Sequence, residues 1–109
     1  MNYQNFQGYM EYKAKEGNDY ARKLINKAKN RRKNTIEIAI EEALKVQESF
    51  KLQGNLDKVN HYQKLIEEAK EKGMLDGSFE ITYEFAKKIY GELKGIVGED
   101  EDREDFIKI

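Results

Sequence analysis

The sequence predicts an all-α protein, a small bundle-like domain of about four helices followed by a flexible acidic C-terminal tail. Apolar residues recur at steps of three and four along most of the chain, which is helical periodicity. The 109 residues contain no proline, so nothing bars any position from a helix. A chain of this length forms one domain, which we assign to residues 1–98, with the tail at 99–109.

The first predicted helix runs from Tyr3 to Ala28, where the apolar residues keep one helical register. Gly17-Asn18-Asp19 lies midway. Glycine costs about 1 kcal/mol relative to alanine inside a helix, and Asn and Asp prefer helix caps. Either the helix breaks at Gly17 or it continues with a weak spot there. Because the apolar register continues across Gly17, we favour one long helix that can bend at this point.

The second predicted helix begins near Asn34, which forms a capping-box pattern with Glu37 three residues later. Gly54 ends this helix, because glycine favours the position just past a helix C-terminus. Asn55 can cap the third helix, which ends near Gly73.

Residues 46–66 partly resemble the helical hairpin of the tetratricopeptide repeat family. Phe50, Gly54, Asp57 and Tyr62 stand where that family often has an aromatic residue, Gly, Asp and an aromatic residue. Other positions depart from the pattern, and a solenoid needs about three repeats to bury its faces. The resemblance therefore implies a helical hairpin here and no family membership.

The last predicted helix runs from about Phe79 to Ile96. Phe79, Ile81, Tyr83 and Phe85 also alternate with polar residues, as in a strand. A lone strand would have no partner in this chain, so we predict a helix.

The predicted core draws on the inward-facing residues of these helices. They are Leu24, Ile36, Ile40, Leu44, Val59, Ile66, Tyr83, Ile89, Tyr90 and Leu93. Such a small core favours association, so we consider a homodimer that shares the surface of the first helix.

Charge is divided unevenly along the chain: residues 1–36 carry a net charge of +6 and residues 37–109 carry −7. The basic stretch has no acidic residue between Tyr20 and Ile36. Its candidate binding residues are Arg22, Lys23, Lys27, Lys29, Arg31, Arg32 and Lys33. One interpretation is a surface that binds nucleic-acid phosphates. The other is a solvated face, or one neutralised by the chain's own acidic residues.

Tyr9, Tyr12 and Tyr20 lie within or beside this basic region. Exposed tyrosines are favoured anchors at protein interfaces, so we consider them a candidate aromatic interface. The alternatives are stacking on nucleic-acid bases and ordinary core packing.

The tail from Glu99 to Asp105 contains six acidic residues and one Arg, and it ends in an apolar tip. The tip residues Phe106, Ile107 and Ile109 could anchor the tail in a basic groove of a partner. The alternative is a disordered segment that keeps the protein in solution.

The sequence contains no catalytic or cofactor motif, so we predict that the protein is not an enzyme and uses no cofactor. It has no Cys, which excludes disulfides, thiolate metal sites and Cys nucleophiles. His61 and Lys64 match the His-x-x-Lys spacing of phosphotransfer domains, but the match is two residues long, and we interpret His61 as a surface residue. No metal site is predicted.

These observations favour a non-enzymatic interaction protein that acts through protein–protein contacts. The abundance of Lys and Asn suggests an AT-rich genome, so we expect a small regulator or inhibitor from a phage or mobile element. The alternative is a nucleic-acid-binding regulator that uses residues 22–33. No membrane span or signal peptide is evident, so we expect a cytoplasmic protein, in the host cytoplasm if phage-encoded.

Overall fold

The computed structural model describes residues 3–97, and five α-helices account for most of them. In chain order these are α1 (Phe6–Lys15), α2 (Asp19–Arg31), α3 (Thr35–Leu52), α4 (Leu56–Lys72) and α5 (Phe79–Val97). The all-α class is therefore confirmed, with five helices in place of about four. The predicted acidic tail, including Phe106, Ile107 and Ile109, lies outside the described residues.

The additional helix arises at Gly17, where the prediction of one continuous first helix is wrong. Gly17 has a φ of +96°, a left-handed conformation that interrupts a right-handed helix. The Asn18 side chain accepts a hydrogen bond from the Ala21 N–H at 2.9 Å and so begins α2. The apolar register continues across the break because α1 and α2 fold against each other and bury their apolar faces in the same core.

The other predicted helix boundaries are confirmed. The side chain of Asn34 accepts the Glu37 N–H at 3.0 Å, and that of Asn55 accepts the Lys58 N–H at 3.3 Å. Between α3 and α4, Gly54 has a φ of +76°, which permits the tight turn of a helical hairpin. The segment that could have been a strand is helical from Phe79 onward.

The helix α3 is central, because it contacts each of the other four helices. On one side, α1, α2 and α5 join it around a first cluster of buried residues that is rich in aromatic rings. That cluster contains Phe6, Tyr9, Met10, Tyr20, Ala21, Leu24, Ile25, Ala28, Ile38, Ala39, Tyr83, Ala86 and Tyr90. On the other side, α4 and the second half of α5 join it around a second cluster. That one contains Ala43, Val46, Tyr62, Ile66, Ile89 and Leu93.

Most of the predicted core is buried, with one clear exception. The buried members are Leu24, Ile66, Tyr83, Ile89, Tyr90 and Leu93, while Ile36, Ile40 and Val59 are partly buried. Leu44 is 40% exposed, so its assignment to the core is wrong. It lies on the face of α3 that also carries Glu37, Glu41 and Glu48, which points away from the clusters.

None of the helices within residues 3–97 combines the length and the apolar composition that a bilayer crossing requires.

Candidate functional site

The basic stretch is not a uniform cationic surface, because Lys27 is buried. Its Nζ lies 2.9 Å from Glu42 Oε2, and each side chain is only 2% exposed. Lys27 occupies the apolar face of α2 one turn after Leu24, and Glu42 occupies the matching face of α3. The prediction that Lys27 contributes to an exposed binding surface is therefore wrong. Lys27 instead pairs with an acidic residue of its own chain in the interface between α2 and α3.

Two further basic residues near the end of α2 also face α3. Arg31 Nη1 lies 3.8 Å from Glu41 Oε1, and Lys33 Nζ is paired with Glu41 Oε2. These pairs are partly exposed, and exposed ion pairs contribute only about 0–1 kcal/mol each. Lys27, Arg31 and Lys33 are thus paired with acidic residues of the same chain. For these three residues the structure supports the alternative in which the chain neutralises its own basic stretch.

The other basic residues of the stretch are at the surface. Arg22 and Lys29 are exposed on the solvent side of α2, and Arg32 is exposed where the helix ends with a φ of +55°. Arg22 Nε donates a hydrogen bond to the carbonyl oxygen of Ala14, 3.3 Å away. Arg22, Lys29 and Arg32 are therefore exposed members of the predicted basic surface, as is Lys33, which pairs with Glu41.

Lys23 lies beside an open cleft between the start of α2 and the middle of α5. The cleft has a volume of about 400 Å³, and its walls include Lys23, Lys87, Tyr90 and Asp19. Lys23 Nζ lies 5.8 Å from the centre of the Tyr90 ring, at the outer limit of a cation–π contact. The cleft therefore presents two ammonium groups and an aromatic ring, with one carboxylate beside them.

The predicted aromatic interface is largely internal. Tyr9 and Tyr20 are 7% and 8% exposed. The ring of Tyr9 stacks against Phe79 at a centroid distance of 6.0 Å, and the ring of Tyr20 packs at a tilt against Tyr90 at 5.2 Å. The expectation of exposed tyrosines is therefore wrong at these two positions, because α5 covers the face that carries them. Burial raises the pKa of Tyr20 well above its usual value.

Tyr12 is half-buried and remains at the surface of α1. A hydrogen bond to the Glu16 carboxylate raises the pKa of the Tyr12 hydroxyl, since deprotonation would place two negative charges side by side. Of the three predicted tyrosines, Tyr12 is the one that a partner could contact without disturbing the core.

Leu52 and Leu56 are the most exposed large apolar residues in the described part of the chain, and they flank the turn between α3 and α4. The apolar periodicity of α4 places Leu56 on its inward face, but the fold leaves it exposed. Leu52 is 82% exposed and Leu56 is 66% exposed. The Asn55 N–H donates a hydrogen bond to the Phe50 carbonyl oxygen at 2.9 Å, which stabilises the turn. Leu52 and Leu56 therefore lie at the two ends of one short, well-defined turn. We call Leu52 and Leu56 the hairpin tip. Their spacing of four residues across a glycine was a signal that sequence reasoning could have used.

His61 is exposed on α4, with its ring centre 6.0 Å from that of Tyr62. Within the described part of the chain, no three His, Asp or Glu side chains come together in a way that could hold a metal ion. The surface features described above are the apolar hairpin tip, the exposed basic residues of α2 and the cleft between α2 and α5. Comparison with known protein families, with curated protein sequences and with solved structures finds no match for this chain.

Proposed function

We propose that this chain is a non-enzymatic interaction protein that binds a partner protein through the hairpin tip. The observation that carries this proposal is the exposure of Leu52 and Leu56, at 82% and 66%, on one tight turn. Single exposed apolar residues are common on protein surfaces and need no explanation. Two exposed leucines at the two ends of one tight turn differ, because a partner with an apolar groove would cover both of them.

The energetics of the tip favour a partner with an apolar groove. Burying a leucine side chain is worth about 1.5–3 kcal/mol, so the two leucines can contribute several kcal/mol. The turn is held by backbone hydrogen bonds and by the Asn55 cap. Little conformational entropy is therefore lost when the tip binds, which favours affinity.

The proposal also includes the class of regulator to which the protein belongs and the compartment in which it acts. A small regulator or inhibitor from a phage or mobile element, acting in the cytoplasm, fits the size and the Lys- and Asn-rich composition. A second copy of the chain is one candidate partner, since a homodimer could bury the tip. Measuring the mass in solution distinguishes this self-association from binding to another protein.

The experiment compares the wild type with a tip variant and a matched control. The tip variant is Leu52→Glu with Leu56→Glu. The control is Ile81→Glu with Ile96→Glu, which makes the same chemical change at two apolar residues of α5 that are 45% and 49% exposed. Each tagged protein is used to capture partners from the cells that naturally produce it, and the affinity for the purified partner is then measured.

We expect the wild type and the control to retain the same protein, and the tip variant to bind it at least about tenfold more weakly, or about 1.4 kcal/mol. Because both tip residues are exposed, the tip variant should unfold at the same temperature as the wild type. Equal capture by the tip variant, or no partner for any of the three proteins, would overturn the proposal.

A second candidate function is nucleic-acid binding, favoured by the exposed side chains of Arg22, Lys29 and Arg32. Phosphate contacts from these residues would give weak binding that falls steeply with salt. Gel shifts of the wild type and of the Arg22→Glu, Lys29→Glu, Arg32→Glu variant, with single-stranded and duplex probes, test this. The same shift for both proteins would show that this face does not bind nucleic acid.

A further inference from the structure

The connection between α1 and α2 is close to a helical conformation. Glu16 lies in the right-handed helical region, with a φ of −75° and a ψ of −4°, and Asn18 has a φ of −76°. The departures from a helix are the φ of Gly17, at +96°, and the ψ of Asn18, at 115°. A Cβ built on Gly17 meets no atom within 4 Å, so the space beside this residue is open. Rotation of Gly17 and Asn18 would therefore join α1 and α2 into one helix.

The apolar residues of α1 and α2 already fit this joined helix, which would run from Phe6 to Arg31 over about 39 Å. Counted as one helix, they form a single stripe. Its members are Phe6, Met10, Ala14, Ala21, Leu24 and Ala28. A closed hairpin permits this common register without requiring it, because a turn can set any rotation between two helices. A joined helix that buries one face along its whole length does require it.

The joined helix would carry α1 away from its place in the first cluster. There Phe6 and Met10 are 1% and 0% exposed, and Gln7 Oε1 accepts the Thr35 N–H at the start of α3, 3.0 Å away. A single open chain would expose these apolar side chains and leave a gap in its own core, and both changes are unfavourable. A second copy in the same open form offers an identical gap and an identical α1. Two open chains can therefore restore these contacts between them.

We propose that this chain forms a domain-swapped dimer with a second copy of itself. In each chain Gly17 becomes helical, α1 joins α2, and α1 fills the site that the α1 of the other copy has left. Domain swapping is a low-cost route to a dimer, because existing contacts are exchanged. The joined helix also supplies carbonyl partners to the N–H groups that begin α2. This dimer is independent of the hairpin tip, which lies between α3 and α4.

The hinge at Gly17 and Asn18 decides the balance between the closed chain and the swapped dimer. In the closed chain the Asn18 side chain accepts the Ala21 N–H at 2.9 Å, and its Nδ2 donates to the Tyr83 hydroxyl at 2.6 Å. The joined helix loses the capping bond and places Gly17 and Asn18, which are weak helix formers, in its interior. Because the core contacts are the same in both forms, substitutions at the hinge should shift the equilibrium between them.

Two substitutions should shift this equilibrium in opposite directions. Gly17→Ala disfavours the left-handed turn and favours a helix, so we expect the dissociation constant of the dimer to fall at least about 100-fold. Asp19→Pro should raise it at least about 100-fold, because proline inside the joined helix removes a hydrogen bond and clashes with the preceding turn. The closed chain tolerates this proline, since Asp19 is the first residue of α2 and Asn18 before it is extended.

Sedimentation of chains refolded at several concentrations measures these dissociation constants. The matched control is Gly73→Ala, which makes the same change at a glycine with a φ of +73°. Asp76 and Gly77 in the same connection also have positive φ, so a change at Gly73 alone cannot join α4 to α5. This control should dimerise as the wild type does. The tip variant, Leu52→Glu with Leu56→Glu, should do so too, which separates this dimer from one that buries the hairpin tip.

NMR of the dimer identifies which chain supplies α1. Isotope-labelled and unlabelled chains are mixed while unfolded and then refolded together. The rings of Tyr9 on α1 and Phe79 on α5 have centres 6.0 Å apart, close enough for a nuclear Overhauser effect between their edges. In a swapped dimer this effect should join a labelled chain to an unlabelled one.

Each of three results would contradict the swapped dimer. The first is that the wild type and Gly17→Ala both remain monomers at the concentrations used for NMR. The second is a dimer in which the effect between Tyr9 and Phe79 stays within each chain, since the two copies would then associate side by side. The third is an Asp19→Pro variant that dimerises as strongly as the wild type, because no joined helix would then be needed.

Discussion

Lys27 Nζ and Glu42 Oε2 form a 2.9 Å ion pair inside the contact between α2 and α3. Removing two charges from water costs several kcal/mol per ion, and their attraction offsets this only when the geometry is good. Such a pair therefore adds little net stability, but it strongly opposes any arrangement that separates its partners. Sliding α2 along α3 would leave a buried ammonium and a buried carboxylate apart, so the pair selects one register of the two helices.

This pairing predicts strongly non-additive mutational effects. Lys27→Met leaves the Glu42 carboxylate buried without its ammonium partner, and we expect a loss of about 3–5 kcal/mol in the free energy of unfolding. Adding Glu42→Leu removes the stranded charge and should restore much of the stability. Denaturant titration of both single variants and the double variant measures the coupling. A loss below about 1 kcal/mol for Lys27→Met, typical of an exposed ion pair, would contradict this view.

Two buried tyrosines should respond in opposite directions to the same substitution. The hydroxyl of Tyr20 is buried and has no hydrogen-bond partner among the described residues, whereas that of Tyr62 donates to Glu92 at 2.7 Å. Tyr20→Phe removes an unsatisfied polar group and should raise the free energy of unfolding by about 1 kcal/mol. Tyr62→Phe removes a hydrogen bond and should lower it by about 1 kcal/mol. Chemical denaturation checks both, and a change of the same sign in the two variants would refute the prediction.

The same two tyrosines predict loss of stability at high pH. Burial raises the pKa of Tyr20, and burial with the hydrogen bond to Glu92 raises the pKa of Tyr62. In the unfolded chain both would ionise near pH 10. Below that pH both are protonated in either state and have no effect. Above it the folded state binds more protons than the unfolded state, so stability falls as pH rises.

Tyrosinate absorbance and helical circular dichroism, recorded on one sample during an alkaline titration, check this expectation. Because the pKa values of Tyr20 and Tyr62 are raised in the folded state, these two tyrosines should ionise only as the helical signal is lost. Full ionisation of all seven tyrosines with intact helices would contradict it.

Two glycines give a matched test of backbone conformation. Gly91 lies inside α5, and a Cβ added there would meet no atom within 4 Å. Gly91→Ala should therefore stabilise the fold by about 1 kcal/mol, because alanine favours helix. Gly73 ends α4 with a φ of +73°, so Gly73→Ala should destabilise it by about 1–2 kcal/mol. Thermal unfolding of the two variants measures both signs, and destabilisation by Gly91→Ala would indicate that the open face of α5 is covered in solution.

Periodicity and cap residues predicted the helical class, the caps at Asn34 and Asn55, and the helical state of the segment after Phe79. These features depend on residues close in sequence. The break at Gly17 was the less favoured of two alternatives, because two helices that share one core can keep a common apolar register. Here the local conformation of Gly17 and the cap at Asn18 decided the outcome.

Sequence patterns identified the candidate site less well, because exposure depends on which helix covers which face. Tyr9 and Tyr20 are internal because α5 packs over them, and no local pattern states where α5 lies. The sequence did contain a signal for the ion pair between Lys27 and Glu42. Both residues lie on the apolar faces of their helices, and they have opposite charges.

The attachment of α4 has a consequence for motion. Its buried residues form one narrow row, Tyr62, Ile66 and Ala69, packed mainly on α3 and linked to α5 through Tyr62. Regions with few buried contacts open at a lower free energy than the whole molecule. Partial unfolding of the native state should therefore begin with the separation of α4 from α3 and α5, while the residues of the first cluster stay packed. A ligand that binds Leu52 at the end of α3 and Leu56 at the start of α4 would hold the two helices together. Such a ligand should therefore reduce the opening of α4.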